Sequence, residues 1–280
     1  MKVSKGKTLT VSIVVYRPNM AYLVETLTSL QKAIVYAMNR GVICKAHIFL
    51  INNGSSRDVL RFIECYVHRM HKETEICGTV LSGHGNIGYG CGHNIGIEKS
   101  SGDYYLILNP DVALESESIL NGIQFLEQNR DVGLVVPIVL NDKKEKSHLC
   151  KRYPDVFSLF LRGFAPKAIK KFFKYQLDSY DMTDIDLNQA NKDVAIASGC
   201  FMLFEESVLN QICGFDPRYF LYFEDFDLSI KTRKFSRIAL LPQMRIFHYG
   251  GHTTHKGWRH IKYFISSVFT FFNTNGWKWL

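Results

Sequence analysis

Three groups of side chains have the residue types and spacing for chemistry. Leu106-Ile-Leu-Asn-Pro-Asp111 is an apolar run that ends in a carboxylate, and Pro110 halts the hydrogen-bond ladder one residue before it. In an α/β sheet such a strand brings its last polar side chain to the carboxyl edge, where ligands bind, so Asp111 is a candidate for holding a metal ion or a phosphate. Glu224 and Asp225 stand within Tyr222-Phe-Glu-Asp-Phe-Asp-Leu228, three acids among aromatics. A carboxylate in that company is partly desolvated and becomes a better base, although acids in a first helical turn also serve the helix macrodipole. His248-Tyr-Gly-Gly-His252, with His255 beyond, adds imidazoles that are either ligands or structural. A helix starting at or just before Glu224 puts Glu224, Asp227 and Leu228 on one side. Asp225 is then turned about 100° away, toward a cleft.

The elements that must position these groups alternate. Thr8 to Tyr16 is rich in β-branched residues and predicts a buried strand; Arg17-Pro18-Asn19 turns into an amphipathic helix from Met20 to Met38. His47 to Asn52 is a second strand, and Asn52-Asn-Gly-Ser-Ser56 after it is both a turn signal and a helix N-cap. A helix over 58–72 and a strand over 76–82 follow. The glycine-rich Gly83-His-Gly-Asn-Ile-Gly-Tyr-Gly-Cys-Gly-His-Asn94 then lets backbone approach a ligand closely, with N–H groups aimed at anions. A dinucleotide-binding loop would belong after the first strand, not the third. Beyond Asp111 the pattern predicts a helix over 116–130 and strands over 132–137, 198–204 and 237–241. This alternation implies a parallel sheet with crossover helices.

Two stretches break the pattern. Between Asn141 and Asp193, basic residues from Lys143 to Lys174 interleave with aromatics from Tyr153 to Tyr175. That insertion is either a solvated segment packing its rings on the core, or a surface for anionic lipid or a lipid-linked acceptor. From Trp258 to Leu280 an aromatic, basic stripe at helical spacing either closes the core or lies on a membrane.

Across 280 residues the composition is 46% hydrophobic and 21% charged, enough for a sizeable core and too little charge for disorder. The formal net charge of +8 favours an anionic partner. Seven scattered cysteines match neither a zinc site nor a disulfide framework and read as reduced thiols. The basic start lacks a small-residue cleavage site, so no export is expected. No run reaches the roughly 18 apolar residues of a membrane span, which leaves only surface association with a membrane.

The order of motifs resembles the family-2 glycosyltransferases of the GT-A fold, in particular their bacterial rhamnosyltransferase-like branch. The resemblance rests on Val11-Ser-Ile-Val-Val-Tyr16, Ile51-Asn-Asn-Gly-Ser55, Asn86-Ile-Gly-Tyr-Gly-Cys-Gly-His-Asn94, Leu108-Asn-Pro-Asp111, Ser198-Gly-Cys200, Gly214-Phe-Asp216, Tyr222 to Leu228, His248 and Phe271-Phe-Asn-Thr-Asn-Gly-Trp277. It implies a mostly parallel GT-A sheet over 1–256, with 141–193 as an acceptor-side insertion and 257–280 as a helical tail. It also implies inverting transfer from a nucleotide-diphosphate sugar, with dTDP-L-rhamnose as the expected donor and another nucleotide sugar, such as a UDP-sugar, as the alternative. The acceptor would be lipid-linked or a polysaccharide in O-antigen or capsule assembly, on the cytoplasmic face of the membrane, without nucleic acid. Asn109-Pro-Asp111 resembles the family's DxD-type motif with its first acid replaced; Asp111 and His248 would hold Mg²⁺ or Mn²⁺. Asp225 matches the family's base, supported by Glu224. Tyr16, Arg17, Asn52, Asn53, Asn86, Gly88 and Asn109 would face the nucleotide, and Ser198, Gly199, Cys200 and Tyr222 the sugar and acceptor. Where the family usually has Asp, Asn52 can accept the same pyrimidine N–H bond without charge, which implies weaker binding or a different nucleotide. A nucleotidyltransferase would need its phosphate loop directly after the first strand, where Tyr16-Arg-Pro-Asn19 is no such loop. A non-catalytic binding protein would explain the charge and the aromatic tail but not Asp111 and Asp225, and the substitutions at Asn52 and Asn109 leave open a family member that binds donor without activity.

Overall fold

The structure is a computed structural model that describes residues 6–141, 143–250 and 257–279. Its first half alternates as the apolar periodicity requires: β1 (Lys7–Val15), α1 (Met20–Asn39), β2 (Ile43–Asn52), α2 (Arg57–Glu73), β3 (Cys77–Leu81), α3 (Tyr89–Ile97) and β4 (Tyr104–Leu108). Asn19 and Ser56 cap α1 and α2 by accepting backbone N–H groups of their first turns. Strands β1 to β4 are all parallel, in the order β3-β2-β1-β4. Val11, Ile13 and Val15 of β1 are wholly buried, as a strand covered on both faces must be.

The second half contains β5 (Val112–Leu114), α4 (Ser118–Gln128), β6 (Val132–Leu140), β7 (Lys146–Ser147), α5 (Val156–Phe164), α6 (Lys167–Phe172) and α7 (Lys174–Tyr180). It closes with β8 (Phe201–Glu205), α8 (Glu206–Gln211), α9 (Glu224–Thr232), β9 (Arg237–His248) and α10 (Trp258–Asn275). All nine strands among the described residues join one sheet, continuing β4-β8-β6-β9-β5 with β7 on β6. Here the direction changes: β8 runs antiparallel to β4 and β6, and β5 antiparallel to β9, while β6 and β9 are parallel. The sheet is thus parallel through its first half, as the alternation implies, and mixed in its second.

Two strand ends differ from expectation and matter for the site. β4 stops at Leu108, because Pro110 has no N–H to extend the ladder, and Asp111 falls in the turn to β5. β9 runs past Pro242 to His248; the register jumps from Leu241 opposite Pro137 to Arg245 opposite Ile138, so a bulge absorbs the prolines. This extension pairs Val112 with His248 and brings Asp111 beside the imidazole.

Residues 143–193 are held together by ion pairs of Lys151 and Arg162 with Asp181 and of Arg152 with Asp184, and are tied to the rest of the chain by Lys192 with Asp131 and by Asp193 with Arg233. The inner face of α10 joins them: Phe271 and Phe272 are fully buried in a cluster with Tyr219 and Phe223, against which Tyr153 and Val156 pack.

Candidate active site

Loops at the carboxyl edge of the parallel half form one wall. Arg17, with φ of 46°, leaves β1 in the left-handed region and lies over the Tyr16 ring; both side chains are exposed. Arg17, Pro18, Gly54, Ser55, Ser56 and Val59 line a hollow of about 500 Å³, within the size range of small-ligand sites. Asn52 is buried and its Oδ1 accepts the Ser55 N–H at 2.9 Å, closing the turn beneath the hollow. Asn53 commits its whole amide to the glycine-rich loop. Its Nδ2 donates to Asn86 Oδ1 and to the Gly88 carbonyl, both at 3.0 Å, and its Oδ1 accepts the Ile87 N–H at 3.2 Å. Asn53 thus fixes the shape of that loop. Gly88 is required where it stands: φ is +93° and a Cβ would sit 2.4 Å from the Phe220 carbonyl oxygen.

The other wall comes from the antiparallel half, which meets the glycine-rich loop where the Tyr89 N–H donates to the Phe220 carbonyl at 3.0 Å. Asp225, half-buried at the start of α9, accepts the Gly199 N–H at 2.9 Å through Oδ2 and the Phe226 N–H at 3.0 Å through Oδ1. Glu224, Asp227 and Leu228 point inward, as helical geometry anticipates. Glu224 Oε2 has no hydrogen-bond partner. Burial, reinforced by the Asp225 charge, pushes the Glu224 carboxyl up to about 8, and burial also raises Asp225. Because Asp225 accepts backbone N–H bonds and Glu224 Oε2 accepts none, the charge of the pair resides on Asp225 near neutral pH.

Tyr222 and Phe223 precede this helix with φ of 72° and 64°, two successive left-handed residues. Each costs on the order of 1 kcal/mol or more. The tail helix holds them: Ser267 Oγ donates to the Leu221 carbonyl at 2.9 Å, and Tyr222 Oη meets His260 Nδ1 at 2.9 Å. The Tyr222 hydroxyl is thereby drawn toward the tail. Asn275 reaches Asp227 at 3.4 Å, and Lys231 pairs with Asp227 at 2.8 Å.

The two carboxylate sites are joined by backbone. Asn109 N–H donates to the Cys200 carbonyl at 2.9 Å, next to Gly199, the residue that holds Asp225. Ser198 Oγ accepts the Cys200 N–H at 3.5 Å. Burial pushes the Cys200 thiol up to about 12, with Asp111 and Asp225 both adding to it. Asp111 Oδ1 lies 3.5 Å from His248 Nε2 and has no hydrogen bond; Asn109 Oδ1 is likewise buried without a partner. A Cβ on Gly250 would fall 2.2 Å from Asp111 Oδ2 and 3.0 Å from His248 Nε2. Among the described residues no three His, Cys, Asp or Glu side chains cluster as a metal site, and His252 and His255 lie outside those residues.

Two contacts escaped the reading of residue types. Tyr89 donates its hydroxyl to the Gly199 carbonyl at 2.5 Å, and burial plus four surrounding acidic groups, Glu224, Asp225, Cys200 and Asp111, raises its phenol well above the ordinary value. Gly250 admits Asp111. The only signals were a tyrosine inside a glycine run and a glycine pair after His248.

With this geometry the chain matches the family described as Glycosyl transferase family 2 over residues 10–213, and it belongs to that family of transferases. It is 29% identical to rhamnosyltransferase WbbL of Escherichia coli K12 over 174 residues, covering 59% of this chain and 62% of that protein. It is 24% identical over 153 residues to the N-acetylglucosaminyl-diphospho-decaprenol L-rhamnosyltransferase of Mycobacterium tuberculosis, covering 54% of this chain and 48% of that one. The chain thus spans about half to three-fifths of the length of these relatives. The fold is GT-A-like: a solved structure of GalNAc-T7 with UDP, GalNAc and Mn²⁺ aligns with a TM-score of 0.60 at 15% identity, over 88% of this chain and 44% of that one.

Proposed function

We propose that this chain transfers a sugar, with inversion, from a nucleotide-diphosphate donor to a hydroxyl of a lipid-linked or polysaccharide acceptor. The donor is dTDP-L-rhamnose, in the assembly of a cell-surface glycan such as O-antigen or capsule. What supports the reaction is the backbone link Asp225–Gly199–Cys200–Asn109, which sets a base and an anion-side carboxylate at two ends of one cleft. What supports rhamnose and a lipid-diphosphate acceptor is the naming of the two relatives.

In this reading the hollow beside Arg17 takes the nucleoside, above Asn52 and the loop that Asn53, Asn86 and Gly88 shape, with Tyr16 at its rim. The acceptor enters over Ser198, Gly199 and Cys200, against the turn of Tyr222. Asp225 takes the proton of the acceptor hydroxyl as that oxygen bonds to the anomeric carbon. The bond from that carbon to the diphosphate oxygen breaks with its electron pair, and the nucleoside diphosphate leaves. Glu224, protonated near neutral pH, neither repels nor competes with Asp225 for that proton. Asp111, with its unpartnered carboxylate oxygen, and His248, through its imidazole nitrogen, would hold Mg²⁺ or Mn²⁺, with Asn109 beside them. When bound, such an ion would stabilise the charge that grows on the leaving diphosphate.

The test is binding of purified protein to a panel of nucleotide sugars, with Mg²⁺ or Mn²⁺ and then with chelator. Metal-dependent binding of dTDP-L-rhamnose is expected. Preference for a UDP-sugar would move the donor assignment while keeping the reaction. Binding of no donor would overturn both.

A further inference from the structure

The positive charge of this chain is not spread over it. Two segments, 156–177 and 257–280, contain no Asp or Glu. They carry eight of the 34 Lys and Arg, which leaves 26 basic residues elsewhere against 26 acidic ones, so the whole excess of +8 resides in them. Among the described residues the segments adjoin: the Val156 N–H donates to the Lys278 carbonyl at 2.9 Å and the Phe157 N–H to that of Trp279 at 3.3 Å.

The same segments expose apolar side chains. α10 is two-faced, with Phe271 and Phe272 buried while Ile261, Ile265 and Phe269 face solvent at 45%, 43% and 53% exposure. A four-residue spacing keeps these three on one stripe, which Arg259 and Lys262 flank. In α6 and α7, Phe172 and Tyr175 are 83% and 88% exposed, with Lys171 and Lys174 exposed beside them. The core already takes the inner face of α10, and α6 buries none of its residues, so the outer faces are not demanded by the core.

We propose that this acid-free face, the outer stripe of α10 together with α6 and the start of α7 as far as Tyr175, docks on an anionic lipid bilayer. Aliphatic and aromatic side chains flanked by lysines, with no carboxylate among them, match an interface where acyl chains meet negatively charged headgroups. A second copy of the chain would set two faces of the same positive sign together, which opposes pairing. No helix among the described residues is long and apolar enough to cross a membrane, so the contact is one of surface burial. The proposal goes beyond the reading of the reaction and stands on charge and exposure alone.

Co-sedimentation of the full chain with vesicles of phosphatidylcholine, alone or mixed with phosphatidylglycerol, tests it. Binding is expected to the mixed vesicles and to weaken with salt. Lys171→Ala and Lys174→Ala should each lower the partition coefficient about fivefold. Ile261→Asp with Ile265→Asp should abolish binding while thermal melting stays unchanged, since both side chains are exposed. Equal binding to both vesicle types, or wild-type binding by the aspartate variant, overturns the proposal. So does a salt-resistant dimer that the aspartate variant converts to monomer while vesicle binding persists. Donor binding measured without lipid reads the reaction separately, so either reading can fail while the other stands.

Discussion

The two walls of the cleft treat their polar groups in opposite ways. In the Asn52–Ser56 turn and the Asn86–Gly88 loop, the Asn53 amide is bonded to neighbouring backbone and side chain at both ends, and Asn52 closes its own turn. Across the cleft, Asn109, Asp111 and Glu224 each keep a buried oxygen without a partner, and two left-handed residues launch the helix that carries Asp225. A satisfied wall is rigid before anything binds. An unsatisfied one carries a standing energetic cost that an arriving cation, proton or hydroxyl can offset. On the proposed reaction, the first wall would set ligand shape and the second would meet charge.

Substitutions can sharpen or break that contrast. The largest effect is expected for Asp225→Asn: transfer should fall about 10³-fold, within the range for loss of a general base, while donor affinity changes less than about twofold. Lost donor binding, read by calorimetry, would put Asp225 on the donor side and erase the distinction. Asn53→Ala should cost about 2–3 kcal/mol of folding stability in urea titration, because three hydrogen bonds that shape the loop go at once. A loss no larger than that of an exposed Asn would mean the first wall is not rigid.

The next effect is a slope. Glu224 is held up to about 8 when folded and reverts to an ordinary carboxylate when unfolded. The folded state therefore keeps a proton that the unfolded state has lost, and stability must fall as pH rises from about 4.5 to about 8. Glu224→Gln should remove on the order of 2 kcal/mol of that fall, seen as a flatter dependence of Tm on pH. An unchanged slope would return Glu224 to the satisfied class. The smallest effect is expected for Asp111→Ala, about tenfold weaker donor binding in the presence of divalent cation and none in chelator, or roughly 1.4 kcal/mol. Equal weakening in both would make Asp111 a packing residue.

Much of this was legible in the chain order. Apolar periodicity placed α1, α2 and the parallel strands, and the start of α9 at Glu224 followed from acids beside an amphipathic run. The facing of Asp225 away from Glu224 follows from 3.6 residues per turn and needs no tertiary contact. Pairings distant in sequence were not legible. Nothing local in Arg237–Leu241 says that β9 bulges past Pro242 and reaches His248, because a proline ends a ladder unless a partner strand absorbs the extra residues. Without that pairing Asp111 and His248 are 137 positions apart and unrelated.

The tail shows the same division. Its helical stripe is a property of residue spacing alone, and the sequence left open whether it faced core or membrane. Tertiary packing assigned one side, Phe271 and Phe272, to the cluster around Phe223, and left Ile261, Ile265 and Phe269 outside. Which half of an amphipathic surface is covered depends on what else folds against it. The sequence by itself determined the elements, the family motifs and the types of group available, because these depend on neighbours along the chain. The tertiary structure decided which groups meet and which remain unsatisfied, because burial and hydrogen bonding depend on neighbours in space.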